Sequence, residues 1–214
     1  DKSMTTNEIS ELLQPNTQKP QLTFNADGAE VICFVGLSGG VGTTTLAINY
    51  AFEKSQVSTV LLADLDGNNP DVARALGLHR IEGRNEKISK SLFASQGIPA
   101  PMQCDKYVFD LGSNIHHPLL ENADEIYLVT KVGFNTLARL QELDLAPVTL
   151  VINFADRTKA QIKWLSQIEE AFPRLNILRV PFDAKAFESA AESKSALIEI
   201  AANSLARKSI ATLG

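Results

Sequence analysis

Val31-Ile32-Cys33-Phe34-Val35-Gly36-Leu37-Ser38-Gly39-Gly40-Val41-Gly42-Thr43-Thr44-Thr45-Leu46-Ala47-Ile48-Asn49-Tyr50-Ala51 is an apolar run, a glycine-rich turn and a helical stretch in immediate succession. Glycines let a backbone turn tightly and aim several N–H groups at one anion. A helix that opens near Thr43 adds the positive end of its dipole to the same place. A glycine run between a strand and a helix is therefore a phosphate cradle by context, and the Thr44 hydroxyl stands where such a cradle offers a magnesium ligand. The alternative is a glycine turn that binds nothing. The loop contains no lysine.

Outward from this segment, short apolar runs alternate with amphipathic stretches. Val31–Gly36, Thr59–Ala63, Tyr107–Asp110, Ile126–Thr130, Val148–Asn153 and Ile177–Val180 are the candidate strands. They show little alternation, as expected of strands covered on both faces. Thr44–Lys54, Asp71–Leu76, Thr136–Leu143 and Lys159–Ala171 carry helical patterns, and Ser193 to about Thr212 reads as a closing helix. Strand–helix alternation predicts an α/β fold with a doubly wound, mainly parallel sheet flanked by helices. His79–Asp105, with Gly83, Gly97, Pro99 and Pro101, reads as a loop-rich connection with one short helix at Ile88–Phe93. Residues 1–28 are mostly polar, with one short apolar cluster at Ile9, Leu12 and Leu13, and read as a tail or linker, leaving 29–214 as one domain.

Bulk composition limits the function classes. Apolar residues make up 44% and charged residues 21% of 214 residues, ordinary for a globular domain. The net charge of −5 argues against a surface devoted to nucleic acid. No apolar run approaches the roughly 18–20 residues of a spanning helix, and the N-terminus lacks a secretion-signal pattern. Cys33 lies inside an apolar run and reads as a buried thiol; with Cys104 far away, no disulfide framework or metal spacing arises. A reduced, cytoplasmic setting fits.

Carboxylates recur at the ends of strands. Asp64 and Asp66 follow the second strand, at the carboxyl edge where α/β proteins bind ligands; capping of the next helix is the competing role. Asp110 ends an apolar strand and is placed to hold a magnesium shell. The adjacent His116 and His117 point to opposite sides, which speaks against a metal role.

In order and spacing these motifs resemble the ParA/MinD superfamily of P-loop ATPases, from Val31 to about Thr212. That family carries a deviant Walker A motif, Lys-Gly-Gly-x-Gly-Lys-[Ser/Thr], matched here at Gly39, Gly40, Gly42 and Thr44. Ser38 stands where the signature lysine would be, and Thr43 where the phosphate lysine would be. The resemblance implies ATP and Mg²⁺ as ligands, with Ser38, Gly39, Gly40, Val41, Gly42, Thr43, Thr44 and Thr45 as the loop contacts. It further implies Thr44, Asp64 and Asp110 around the metal, and Asp66 orienting the attacking water. Asn153, at the end of Leu150-Val151-Ile152-Asn153, would contact adenine, and Pro181, in Val180-Pro181-Phe182-Asp183, would line the base pocket. The family's Walker B strand runs on into a switch that here reads Leu111-Gly112-Ser113-Asn114, a departure from the usual pattern.

Each charge-assisted phosphate contact is worth roughly 1.5–3 kcal/mol, so two lost lysines weaken binding. Hydrolysis suffers more, because the transition state needs those cations most. Paired lysine losses with a Gly-Gly-Val-Gly-Thr-Thr-Thr loop look most like the TadZ/CpaE proteins of Flp/Tad pilus assembly. The receiver-like N-terminal domain that these often carry has no counterpart here, and Asp66 to Asp110 looks shorter than in MinD, as if an element were missing. The resemblance implies a homodimer, pilus or secretion-system assembly partners, and recruitment to a membrane or cell pole as an open option. Packing onto the domain is preferred for the segment from Ala196 to Leu213, with a MinD-like membrane helix the alternative. Trp164 reads as core or rim packing. Two rival functions remain: an active partitioning ATPase on DNA or membrane, and a scaffold that binds no nucleotide.

Overall fold

Among the described residues eight strands form one sheet in the order β3-β4-β2-β5-β1-β6-β7-β8. The computed structural model describes residues 28–79, 81–143 and 148–214; the tail containing Ile9, Leu12 and Leu13 lies outside the described residues. The strands are β1 (Glu30–Gly36), β2 (Val60–Asp64), β3 (Glu86–Lys87), β4 (Leu92–Gln96), β5 (Lys106–Asp110), β6 (Glu125–Thr130), β7 (Thr149–Ala155) and β8 (Asn176–Pro181). All neighbours are parallel except β3, which pairs antiparallel with β4. The helices are α1 (Thr43–Lys54), α2 (Val72–Ala75), α3 (Thr136–Gln141), α4 (Lys159–Ala171), α5 (Ala184–Glu192), α6 (Leu197–Ile200) and α7 (Leu205–Ile210).

The lack of alternation in the strands has the expected cause. Ile32 and Phe34 of β1 pack on one face with Leu46 and Tyr50 of α1 and Ile210 of α7. Cys33 and Val35 pack on the other with Leu140 of α3 and Leu165 and Ile168 of α4. Burial of Cys33 pushes its thiol up to about 12, so the buried-thiol reading holds. From β1 the chain winds through β2 to the β4 edge, returns to β5, then crosses over β1 to β6, β7 and β8. The direction of winding reverses at β1, which puts a crevice at the carboxyl ends of β5, β1 and β6.

Several elements differ from the sequence reading. Ile88–Phe93 is not helical: Leu92–Gln96 is a strand in parallel register with β2, Val60 opposite Leu92. Burial of Leu92, Ala94 and Ser95 on the free edge of β2 decides the matter over local pattern. Between Asp66 and Asp110 the strands β3 and β4 are therefore present, and the one helix among the described residues there is the short turn α2. The closing helix is two short ones, α6 and α7, preceded by α5, which Asp183 caps by accepting the Ala186 N–H at 3.3 Å.

The C-terminal segment packs onto the domain. Leu197, Ala206, Ile210 and Leu213 are buried, and Arg207 forms a two-point ion pair with Glu53 of α1 at 2.5 and 2.7 Å. Trp164 is half-buried and meets Phe134 edge-on, with ring centres 5.6 Å apart, as rim packing. No helix among the described residues is long and apolar enough to cross a membrane.

Candidate functional site

The glycine loop leaves β1 with its entrance pinned on both sides. The Gly36 N–H donates to the Gly112 carbonyl beyond β5 at 2.7 Å, and the Leu37 N–H donates to the Val129 carbonyl of β6 at 2.8 Å. The chain then folds back on itself. A Cβ at Gly36 would stand 2.5 Å from the Thr43 hydroxyl and 3.0 Å from the Ser38 carbonyl, so no other residue fits there. Gly42, at φ 90°, precedes α1, and no side chain caps the helix. Around Gly39 and Gly40 a Cβ would meet nothing, so this part of the loop faces open space.

Thr43, at the position of the phosphate lysine, is buried against Gly36 inside the loop. Ser38 is half-buried, Thr44 is half-buried and Thr45 is exposed. Asn153 is buried at the end of β7; its amide donates to the Val41 carbonyl at 2.9 Å and its Oδ1 accepts the Phe154 N–H at 2.9 Å. It thereby clamps the loop from the far side of the sheet. Phe154 follows at φ 54°, a left-handed conformation costly for a bulky residue, where the β7–β8 register shifts. Its ring edge lies 3.5 Å from where a Cβ of Gly42 would be. The Phe182 ring is 5.7 Å away, beside Pro181, which pairs with Ala155.

The carboxylates converge on the other side of the loop. Asp64 and Asp110 are register partners at the ends of β2 and β5. Asp110 is fully buried; its Oδ1 accepts the Gly112 N–H at 3.1 Å, while Oδ2 has no hydrogen-bond partner. Burial raises the Asp110 carboxyl to about 6; the nearby Thr44 hydroxyl and the Gly112 N–H pull the other way, and the Asp64 and Asp66 charges add to the rise. An orphaned, buried carboxylate oxygen beside a hydroxyl at a helix start is a fitting donor set for Mg²⁺, which takes one or two protein oxygens and fills its octahedron with phosphate and water.

Asp64 has another occupation. Its two oxygens accept the N–H groups of Asp66 at 3.1 Å and Val72 at 2.9 Å, and burial raises its pKa. It holds the turn into α2. Asp66 accepts the N–H groups of Asn68 and Asn69, and its carboxylate fills the space a side chain at Gly112 would take, 2.1 Å from that Cβ position. A cavity of about 370 Å³ opens beside Asp64 and Asp66, lined also by Pro70, Gln96, Ile98 and His117. His117 accepts the Leu119 N–H through Nδ1 and starts a helical turn, and no cluster of metal-binding side chains occurs among the described residues.

The structure thus brings together the loop, Thr44, Asp64, Asp66, Asp110, Asn153 and Pro181, all at the carboxyl edge. Sequence reading passed over Phe154, Lys131 and Arg139. The Lys131 ammonium lies 4.3 Å from the centre of the Phe154 ring, and Arg139 donates to the Leu37 carbonyl at 3.1 Å. A cation just past an apolar strand was the available signal for Lys131; nothing local marks Arg139.

No family model matches the chain, and no curated protein matches its sequence. Solved structures do match in shape. A ParA family ATPase from Chlorobium tepidum superposes with a TM-score of 0.64 at 23% identity, over 86% of this chain and 97% of that one. The septum site-determining protein MinD of Pyrococcus horikoshii, solved with Mg-ADP, gives 0.67 at 14% identity over 86% and 93%. The MinC:MinD cell division complex of Aquifex aeolicus gives 0.68 at 18% identity over 86% and 93%. The chain has the doubly wound P-loop fold of the ParA/MinD ATPases.

Proposed function

We propose that this chain is a nucleotide-binding positioning or assembly factor of the ParA/MinD kind, with weak or no ATP hydrolysis. The observation that carries the reading is the buried Asp110 carboxylate, with its Oδ2 unpartnered, close to Thr44 at an uncapped helix start whose loop has no lysine. The loop amides from Gly39 to Thr45 bind the phosphates, and Thr44 and Asp110 hold Mg²⁺, which supplies charge neutralisation between the phosphates when bound. Asp66 orients water, yet with Ser38 and Thr43 uncharged the developing charge of phosphoryl transfer is poorly met. The base lies towards Asn153 and Pro181.

Support for the nucleotide comes from the Mg-ADP form of the Pyrococcus MinD, and support for a protein partner from the Aquifex MinC:MinD complex. The loop's likeness to TadZ/CpaE proteins makes a Flp/Tad-type pilus or secretion system the proposed setting, with a homodimer as the acting form and recruitment to a membrane or pole by that machinery. An acidic chain without loop lysines is a poor candidate for a DNA-stimulated partitioning ATPase.

Titration of labelled ATP with Mg²⁺ tests the reading. Saturation below millimolar nucleotide, with turnover near background, is the expected result. No saturation at millimolar concentration overturns it.

A nucleotide-free scaffold is favoured by one observation: Asp64 and Asn153 already have internal partners and need no ligand. On that reading Thr44→Ala and Asp110→Ala leave partner binding unchanged.

A further inference from the structure

We propose that Lys131 and Arg139 supply, from outside the loop, the positive charge on a nucleotide's phosphates that the loop itself lacks. The inference rests on the nucleotide-binding reading above. Three carboxylates, Asp64, Asp66 and Asp110, stand at the carboxyl edge beside the loop, and Asp110 feels the charge of the other two. A polyphosphate entering there meets repulsion that one divalent cation and the helix dipole offset only in part. Additional cations must come from residues within reach of the loop.

Two cationic side chains stand near the loop, Arg139 on its Leu37 carbonyl and Lys131 on the Phe154 ring that borders Gly42. Lys131 follows β6, the strand whose Val129 carbonyl receives the Leu37 N–H. Its backbone is held in place: its carbonyl accepts the Thr136 hydroxyl at 2.9 Å, and that hydroxyl accepts the Gly133 N–H at 3.0 Å. The side chain is exposed, and its ammonium rests over the Phe154 ring, whose edge touches the Gly42 position. A lysine stem is flexible and an exposed cation–π contact is weak, so an anion at Gly42 to Thr44 competes well for the ammonium. Arg139 of α3 places its guanidinium on the Leu37 carbonyl, next to Ser38. Four of a guanidinium's five donors remain for a phosphate after one hydrogen bond. Neither side chain forms an ion pair with a carboxylate among the described residues.

The left-handed Phe154 belongs to the same device. Asn153 holds both the loop and the Phe154 N–H, so the strained residue is fixed by the clamp that shapes the phosphate site. Lys131 therefore has a resting place at the mouth of the site in the absence of ligand.

The test is a binding titration of labelled ATP with Mg²⁺ on the wild-type chain, Lys131→Gln, Arg139→Gln and Lys131→Arg, each at two salt concentrations. The expected result is saturable wild-type binding, weakened roughly tenfold or more in each Gln variant. The salt dependence becomes shallower in the Gln variants, and Lys131→Arg retains binding; a purely structural role would not change the salt slope. Thermal melts of the variants at the wild-type midpoint show that folding is intact. Saturable wild-type binding with unchanged affinity in both Gln variants overturns this inference and leaves the nucleotide reading standing. No wild-type binding overturns both.

Discussion

The side-chain amide of Asn153 donates to the carbonyl of Val41 at 2.9 Å, joining residues 112 positions apart. The contact closes the glycine loop from the end of β7, and the missing Cβ of Gly42 makes room for it, since that atom would sit 2.4 Å from Asn153 Nδ2. Asn153→Ala leaves the buried Val41 carbonyl and the Phe154 N–H without partners. The cost is about 1–3 kcal/mol per orphaned group. A lowered melting temperature, together with faster hydrogen exchange in residues 37–42, is the outcome to look for; exchange unchanged there would mean that the clamp does not hold the loop.

Gly112 and Asp66 occupy one space. Gly112 is at φ 57°, and its absent Cβ would lie 2.1 Å from Asp66 Oδ2. Gly112→Ala forces Asp66 away and strains the backbone, with a stability loss of about 1–3 kcal/mol. Chemical denaturation measures it. Because Asp66 is the proposed water-orienting group, any residual hydrolysis falls further in this variant than ATP affinity does.

Asp110 gives a pH dependence of definite sign. Its carboxyl sits near 6 in the fold against an ordinary value of 3.8, so the folded chain holds this proton more tightly than the unfolded one. Its contribution to stability is greatest below about 4, declines as pH rises through 4 to 6, and is level above 6. The full span is about 3 kcal/mol at most. Asp110→Asn removes this decline, giving a melting temperature above wild type at pH 7.5 and close to it at pH 4. The same variant loses Mg²⁺-dependent nucleotide binding. A wild-type stability that rises across pH 4 to 6 by more than the remaining carboxylates explain would contradict the assignment.

Arg207 of α7 pairs at two points with Glu53, whose side chain is 9% exposed. Arg207→Ala leaves that carboxylate nearly buried and alone, at a cost of about 1–3 kcal/mol. Restoring neutrality with Glu53→Gln recovers part of the loss in a double-mutant cycle. Hydrogen exchange in α6 and α7 reports whether this segment loosens first.

Much of the frame is legible in the sequence. Unbroken apolar strands between amphipathic stretches require a sheet covered on both faces, and β1, β2, β5, β6, β7 and β8 lie within one or two residues of their sequence bounds. The glycine loop was equally readable, because positive φ at Gly40 and Gly42 and the close approach at Gly36 are demands that only glycine meets. Strand β4 was not readable: Leu92-Phe93-Ala94 is too short a run for its pattern to separate strand from helix, and the edge of β2, which offers hydrogen bonds and burial, decides it.

The sequence by itself determined the chemistry at hand: a phosphate-cradling turn, the carboxylates Asp64, Asp66 and Asp110, and the absence of lysine at positions 38 and 43. Tertiary structure alone decided what each group does. It turned both Asp64 oxygens onto backbone N–H groups and left Asp110 Oδ2 without a partner. It also set Asn153 on the loop and carried Lys131 and Arg139 near it. The reason is physical. Residue type sets which donors, acceptors and charges a chain owns, but their pairing depends on distance and burial, which strand order across the sheet determines.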